Sequence, residues 1–123
     1  MRARTGGCLC GAVRYEVSGE PTQVGICHCG DCRKESGSAF ALIAAWPRDS
    51  FKMTGETASY RGRHFCSTCG GRLFFLRETE ARIRVGSLDA APSGLTPTEE
   101  VWTIRREEWL NPVAGCEQHE TDG

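Results

Sequence analysis

Cys27-His28-Cys29-Gly30-Asp31-Cys32-Arg33 packs three thiols into six residues, with an imidazole and a carboxylate between them. Three sulfurs at that spacing can share one tetrahedral cation and leave its fourth position open, as a catalytic zinc requires. Two further pairs frame the stretch, Cys8-Leu9-Cys10-Gly11 before it and Cys66-Ser67-Thr68-Cys69-Gly70-Gly71 after it. Widely separated pairs are the usual donors of a closed four-thiolate site. Glycine after the second pair lets backbone N–H groups turn towards the sulfurs and relieve their charge. The expected partition is a structural zinc on Cys8, Cys10, Cys66 and Cys69 and a catalytic zinc on Cys27, Cys29 and Cys32. Two ions per chain follow, of which the second need not be loaded. The competing readings are buried free thiols for the group of four and a purely structural role for the triple.

The rest of the composition narrows the setting. At 123 residues the chain fits one domain, small enough for a metal cross-link to matter to its stability. Its 15 basic and 16 acidic side chains nearly cancel, so no strong field points to nucleic acid or an anionic membrane. No charged segment leading into an apolar one follows Met1, and the longest apolar run, Ala39 to Trp46, is too short to span a bilayer. These features predict a soluble, cytoplasmic protein. Eight cysteines would suit disulfides in a secreted chain, but a reducing compartment and the CxC and CxxC spacings favour metal. Cys116 has no cysteine near it in sequence and reads as a free thiol.

Strand signals dominate. Val13-Arg14-Tyr15-Glu16-Val17 alternates apolar and polar residues, as a strand with one buried face does. Val24-Gly25-Ile26, Ala39 to Trp46, Phe51 to Met53, Thr57 to Arg61, Arg63 to Phe65, Leu73 to Leu76, Ile83 to Val85 and Val101 to Ile104 complete the expected set. Asp31 to Ser36 allows one helical turn before Gly37 ends it. Leu88 to Thr98, with Pro92, Gly94 and Pro97, reads as an irregular connection. The expected organisation is a flexible N-terminus over 1–7, a zinc domain over 8–110 that Trp109 anchors at its end, and a mobile tail over 111–123.

Around the cysteines several side chains keep two readings. An extended segment would turn His28 away from Cys27 and Cys29, into a supporting or core position, and His64 is the other imidazole candidate. Arg33 and Lys34 could hold a carboxylate of an anionic ligand, or simply be solvated. Asp31 and Glu35 lie near the triple without the sequence fixing either as acid or base. Phe40, Trp46, Phe74 and Phe75 read mainly as core, with Phe40 or Trp46 open to a place in a pocket wall.

The ordered set of CLCG at 8–11, CHCGDCR at 27–33 and FCSTCGG at 65–71 resembles the glutathione-dependent formaldehyde-activating family, which also includes centromere protein V. The resemblance covers about residues 5–110. It implies a mainly β, Mss4-like fold of small antiparallel sheets stapled by zinc. By position it assigns the structural zinc to Cys8, Cys10, Cys66 and Cys69 and the catalytic zinc to Cys27, Cys29 and Cys32. It further implies a carbon–sulfur lyase joining a small-molecule thiol such as glutathione to formaldehyde. A zinc-stabilised binding or scaffold module is the alternative. Oligomeric state is open.

Overall fold

The computed structural model describes residues 2–123. Eleven strands form two sheets among these residues. The smaller holds β1 (Ala3–Gly7), β2 (Arg14–Ser18) and β5 (Phe51–Thr54) in the order β1-β2-β5, all antiparallel. The larger comprises β3 (Gln23–Cys27), β4 (Ala41–Pro47), β6 (Thr57–Tyr60), β7 (Arg63–Cys66), β8 (Arg72–Leu76), β9 (Glu80–Arg84), β10 (Glu99–Val101) and β11 (Glu117–Gln118). Its order is β11-β10-β3-β4-β9-β8-β7-β6, antiparallel except that β10 runs parallel to both β3 and β11. The mainly β character expected from the sequence is present.

Alternation accounts for the packing between sheets. In β2 the Tyr15 and Val17 side chains are buried, while Val24 and Ile26 do the same in β3. Tyr15 and Phe51 of the small sheet meet Phe74 of the large one, with ring centroids 5.7 and 4.9 Å from Phe74 in edge-on arrangements. Ala44, Trp46, Ile83 and Leu73 complete this core. Trp46 and Phe74 are core residues as expected, whereas Phe40 and Phe75 are only half-buried.

Four expectations change. The segment 3–7 is a strand rather than a loose end: β1 pairs along β2 from Ala3↔Ser18 to Gly7↔Arg14. Backbone pairing needs no apolar pattern, and Arg4 is buried where its guanidinium meets Glu20 at 3.0 Å. Met1 lies outside the described residues. The tail is not free either, because β11 pairs with β10 and the His119 and Thr121 carbonyls accept from the Thr103 and Trp102 N–H groups. The last strand expected at 101–104 instead ends at Val101, where Trp102 adopts φ +58° and turns the chain into a short 3-10 segment. Trp109 is 72% exposed and anchors nothing.

Helix is confined largely to α1 (Gly30–Ser36), one residue longer than the sequence suggests at its start. Cys29 provides the N-cap, its Sγ accepting the Cys32 N–H at 3.3 Å, and Gly37 ends the helix at φ +68°. Glu35 fastens α1 to the sheet through Arg84, whose Nε and Nη2 approach its two oxygens at 2.8 and 2.7 Å.

Candidate metal centre

Cys8 and Cys10 lie in the β1–β2 connection, Cys66 ends β7 and Cys69 sits in the β7–β8 turn. The four sulfurs therefore come from both sheets. One ligand atom from each lies within 4.8 Å of all the others. Donors about 2.3 Å from a tetrahedral zinc stand about 3.8 Å apart. Here Sγ of Cys10 is 3.6 Å from that of Cys8 and 3.8 Å from that of Cys66. The two turns pass closely: a Cβ on Gly71 would lie 3.2 Å from the Leu9 nitrogen and 3.4 Å from Cys69 Sγ.

Backbone N–H groups point at these sulfurs, as the glycine pattern predicts. Val13 N lies 3.3 Å from Cys8 Sγ, and the Thr68 and Cys69 nitrogens lie 3.3 and 3.4 Å from Cys66 Sγ. The Val13 N–H chiefly holds the Cys8 thiol down to about 6, while the Cys10 N–H does most to lower Cys69. Cys10 goes the other way: the Ala12 N–H lowers it, but Cys8 and the other sulfurs outweigh that and push it up to about 11. Adjacent thiolates repel one another, and a divalent cation between them removes the conflict. The donor set fits such an ion.

The second group is local. Cys27 ends β3, Cys29 caps α1 and Cys32 lies in its first turn, so a strand-to-helix corner turns all three sulfurs to one point. Their ligand atoms also lie within 4.8 Å of one another, and no His, Asp or Glu joins this group among the described residues. Pairing with Val101 on one side and Ala41 on the other fixes Cys27 in the sheet. The Cys32 thiol contact holds Cys27 down to about 6 and pushes Cys32 up in return. Cys27 and Cys32 line a cavity of about 140 Å3, with Ile43, Arg82, Glu99 and Asp122 in its wall.

The remaining candidates separate cleanly. His28 is buried and directed away from the sulfurs, its Nε2 2.9 Å from Glu100 Oε1. Nδ1 of His64 lies 2.8 Å from Thr57 Oγ1. Arg33 is engaged by Glu107 at 2.6 Å, Glu35 is held by Arg84, and Asp31 is exposed with Arg63 at 3.8 Å. Lys34 is exposed and has no carboxylate partner among the described residues. The Cys116 Sγ lies 3.2 Å from the Pro97 carbonyl oxygen, apart from both groups. Sequence reading did not find Glu100 or the arginines of β7–β9. The Arg82-Ile83-Arg84 alternation was the available signal for the latter.

Fold and site together define a small β protein with two cysteine groups of metal-binding geometry, one joining its sheets and one at a strand-to-helix corner. The chain belongs to the glutathione-dependent formaldehyde-activating enzyme family, whose model matches residues 3–105. A Halomonas elongata protein named "Putative glutathione-dependent formaldehyde-activating enzyme" is 34% identical over 83 residues, covering 56% of this chain. The chain spans about half the length of that relative, 53%. The crystal structure of a Rhodobacter sphaeroides structural-genomics target is similar in fold, with a TM-score of 0.57 at 23% identity, covering 76% of this chain and 97% of that one. No helix among the described residues is long and apolar enough to cross a membrane.

Proposed function

We propose that the chain is a zinc-dependent carbon–sulfur lyase acting on the adduct of glutathione, or another small thiol, with formaldehyde or a related small aldehyde. The observation that carries this reading is the three-sulfur group of Cys27, Cys29 and Cys32, one donor short of a tetrahedron, with Cys27 and Cys32 lining a cavity. Cys8, Cys10, Cys66 and Cys69 hold a second, structural zinc in this proposal. Family membership supports the thiol chemistry, and the eight free cysteines suit a cytoplasmic setting.

A zinc on the triple would supply Lewis acidity and stabilise a ligand thiol as its thiolate. The chain's own part is positional. β3 and α1 set Cys27 and Cys32 in the wall of the cavity, which Glu99, Asp122 and Arg82 also line. In the forward direction the thiol sulfur bonds to the aldehyde carbon, the carbonyl π bond opens onto oxygen, and that oxygen gains the proton lost by the thiol. Cleavage reverses each step.

Protein purified without chelator should carry close to two zinc ions per chain. The exchange between glutathione and formaldehyde should run faster with protein than without. An unaltered exchange rate, or one zinc ion that Cys27→Ser leaves in place, overturns the reading.

A zinc-stabilised binding module without turnover is the second reading. It is favoured by the engagement of Glu35 with Arg84 and of His28 with Glu100, which leaves neither free to move a proton at the triple. Loss of turnover in a folded Cys27→Ser protein removes it.

A further inference from the structure

Strand register lays out the floor of the cavity that Cys27 and Cys32 line. Glu99 and Val101 of β10 pair with Gly25 and Cys27 of β3, so these four positions share one face of the large sheet. Glu99 thus stands two residues along from Cys27, about 7 Å, a separation that one short ligand can bridge. Gly25 keeps the floor flat between them: a Cβ there would lie 3.2 Å from Glu99 Cγ, so the Glu99 side chain reaches across β3.

A further part of the wall comes from the tail. Asp122 lines the same cavity, and it lies outside the residues that the family model matches, 3–105. Trp102 Nε1 donates to Asp122 Oδ1 at 2.7 Å, and the Trp102 and Thr103 N–H groups donate to the Thr121 and His119 carbonyls at 3.0 Å. The tail is therefore fastened where it borders the cavity.

The charges gathered there are unequal. Glu99 and Asp122 meet only neutral donors at close range, Gln23 Nε2 and Trp102 Nε1. Arg82 is the guanidinium in the wall, but its Nε lies 2.9 Å from Glu80 Oε1, which offsets its charge. His119, 3.9 Å from Glu99 and 3.8 Å from Glu117, adds a positive charge only when protonated. Three thiolates around a divalent cation add a net negative charge beside them. At about 140 Å3 the cavity is also smaller than the roughly 300 Å3 at which pockets for drug-sized ligands begin. Size and charge together favour a short cation and oppose a bulky anion.

We infer that Asp122, brought in by the tail, acts with Glu99 to make this cavity select small aminothiols over thiols that carry a carboxylate. The ammonium end lies against the two carboxylates, and the place of the sulfur at the triple rests on the thiol-adduct reading above.

Cysteamine, 2-mercaptoethanol and 3-mercaptopropionate are short thiols whose far ends are cationic, neutral and anionic. Calorimetry on the zinc-loaded protein, without aldehyde, compares their affinities. The wild type should favour cysteamine, and the Glu99→Gln/Asp122→Asn double variant should narrow its advantage over 3-mercaptopropionate about tenfold. Both substitutions keep an acceptor for Gln23 and Trp102. The acidity of the free thiols is common to both proteins, so the change in ratio reads the carboxylates alone. Glu120→Gln removes an exposed tail acid outside the cavity wall and should change the ratio less than about twofold. An unchanged ratio in the double variant, an equal change in Glu120→Gln, or no binding of cysteamine to the wild type overturns the inference. If cysteamine binds in a carboxylate-dependent way while neither glutathione nor 2-mercaptoethanol exchanges with formaldehyde any faster, the selectivity stands and the lyase reading falls. If exchange is accelerated and the thiol ratios are the same in both proteins, the selectivity falls alone.

Discussion

Nε2 of His28 lies 2.9 Å from Oε1 of Glu100, both side chains only 2% exposed, so an imidazole from the cysteine loop and a carboxylate from β10 form a buried pair. Glu100 also accepts from Val113 N at 2.7 Å and Gln118 Nε2 at 3.0 Å. One carboxylate thus ties the three-cysteine corner to the tail that covers β10.

Removing that carboxylate leaves buried His28 and the Val113 and Gln118 donors without their acceptor. Glu100→Ala should cost about 3 kcal/mol of stability, the scale of a broken buried pair. Urea unfolding checks the size. Hydrogen exchange should show the Thr103 and His119 amides losing protection first.

Acid should act through the same group. Burial pushes the Glu100 carboxyl up, but Gln118, His28, the Val113 N–H and Arg106 outweigh it and hold it below its ordinary value of about 4.5. A carboxyl lowered by folding contributes its stability in full above the unfolded value and loses it as the pH falls through the lower, folded value. Thermal melts below about pH 4.5 should therefore show part of the acid loss absent from Glu100→Gln, which starts less stable at neutral pH.

The two cysteine groups should fail differently. Cys8→Ser unties the small sheet from the β7–β8 turn, and most of the chain should lose cooperative folding, because a structural metal's binding energy is folding energy. Cys27→Ser should melt close to wild type and lose one metal equivalent. Melting curves beside metal content distinguish the two.

Gly6 admits no side chain. A Cβ there would lie 2.4 Å from the Tyr15 ring and 2.6 Å from the Ser87 carbonyl oxygen, where the Tyr15 hydroxyl meets Ser87 Oγ at 2.6 Å. Gly6→Ala should destabilise by about 1–3 kcal/mol, as overpacking does, measured by denaturant midpoint.

What was legible in the chain was what short range encodes. Cys27, Cys29 and Cys32 converge because a strand end and one helical turn are local geometry, and Gly37 ends that turn wherever the helix docks. Alternation in Val13 to Val17 and Val24 to Ile26 marked two strands because burial of one face repeats every second residue. The motifs also grouped Cys8 and Cys10 with Cys66 and Cys69, a pairing that the geometry repeats.

Tertiary structure decided what depends on distant pairing. Residues 3–7 and the tail carry little apolar pattern, and they are held by backbone bonds to β2 and β10 that no local signal announces. Glu100 reads as an ordinary surface acid until β10 lies against β3, and Lys34, Arg61 and Arg72 become one cavity only when α1 crosses the sheet. The sequence by itself determined which sulfurs can share a cation, because ligand type and spacing are written along the chain. Which charges surround them was set by the fold, because electrostatic neighbours are a property of space.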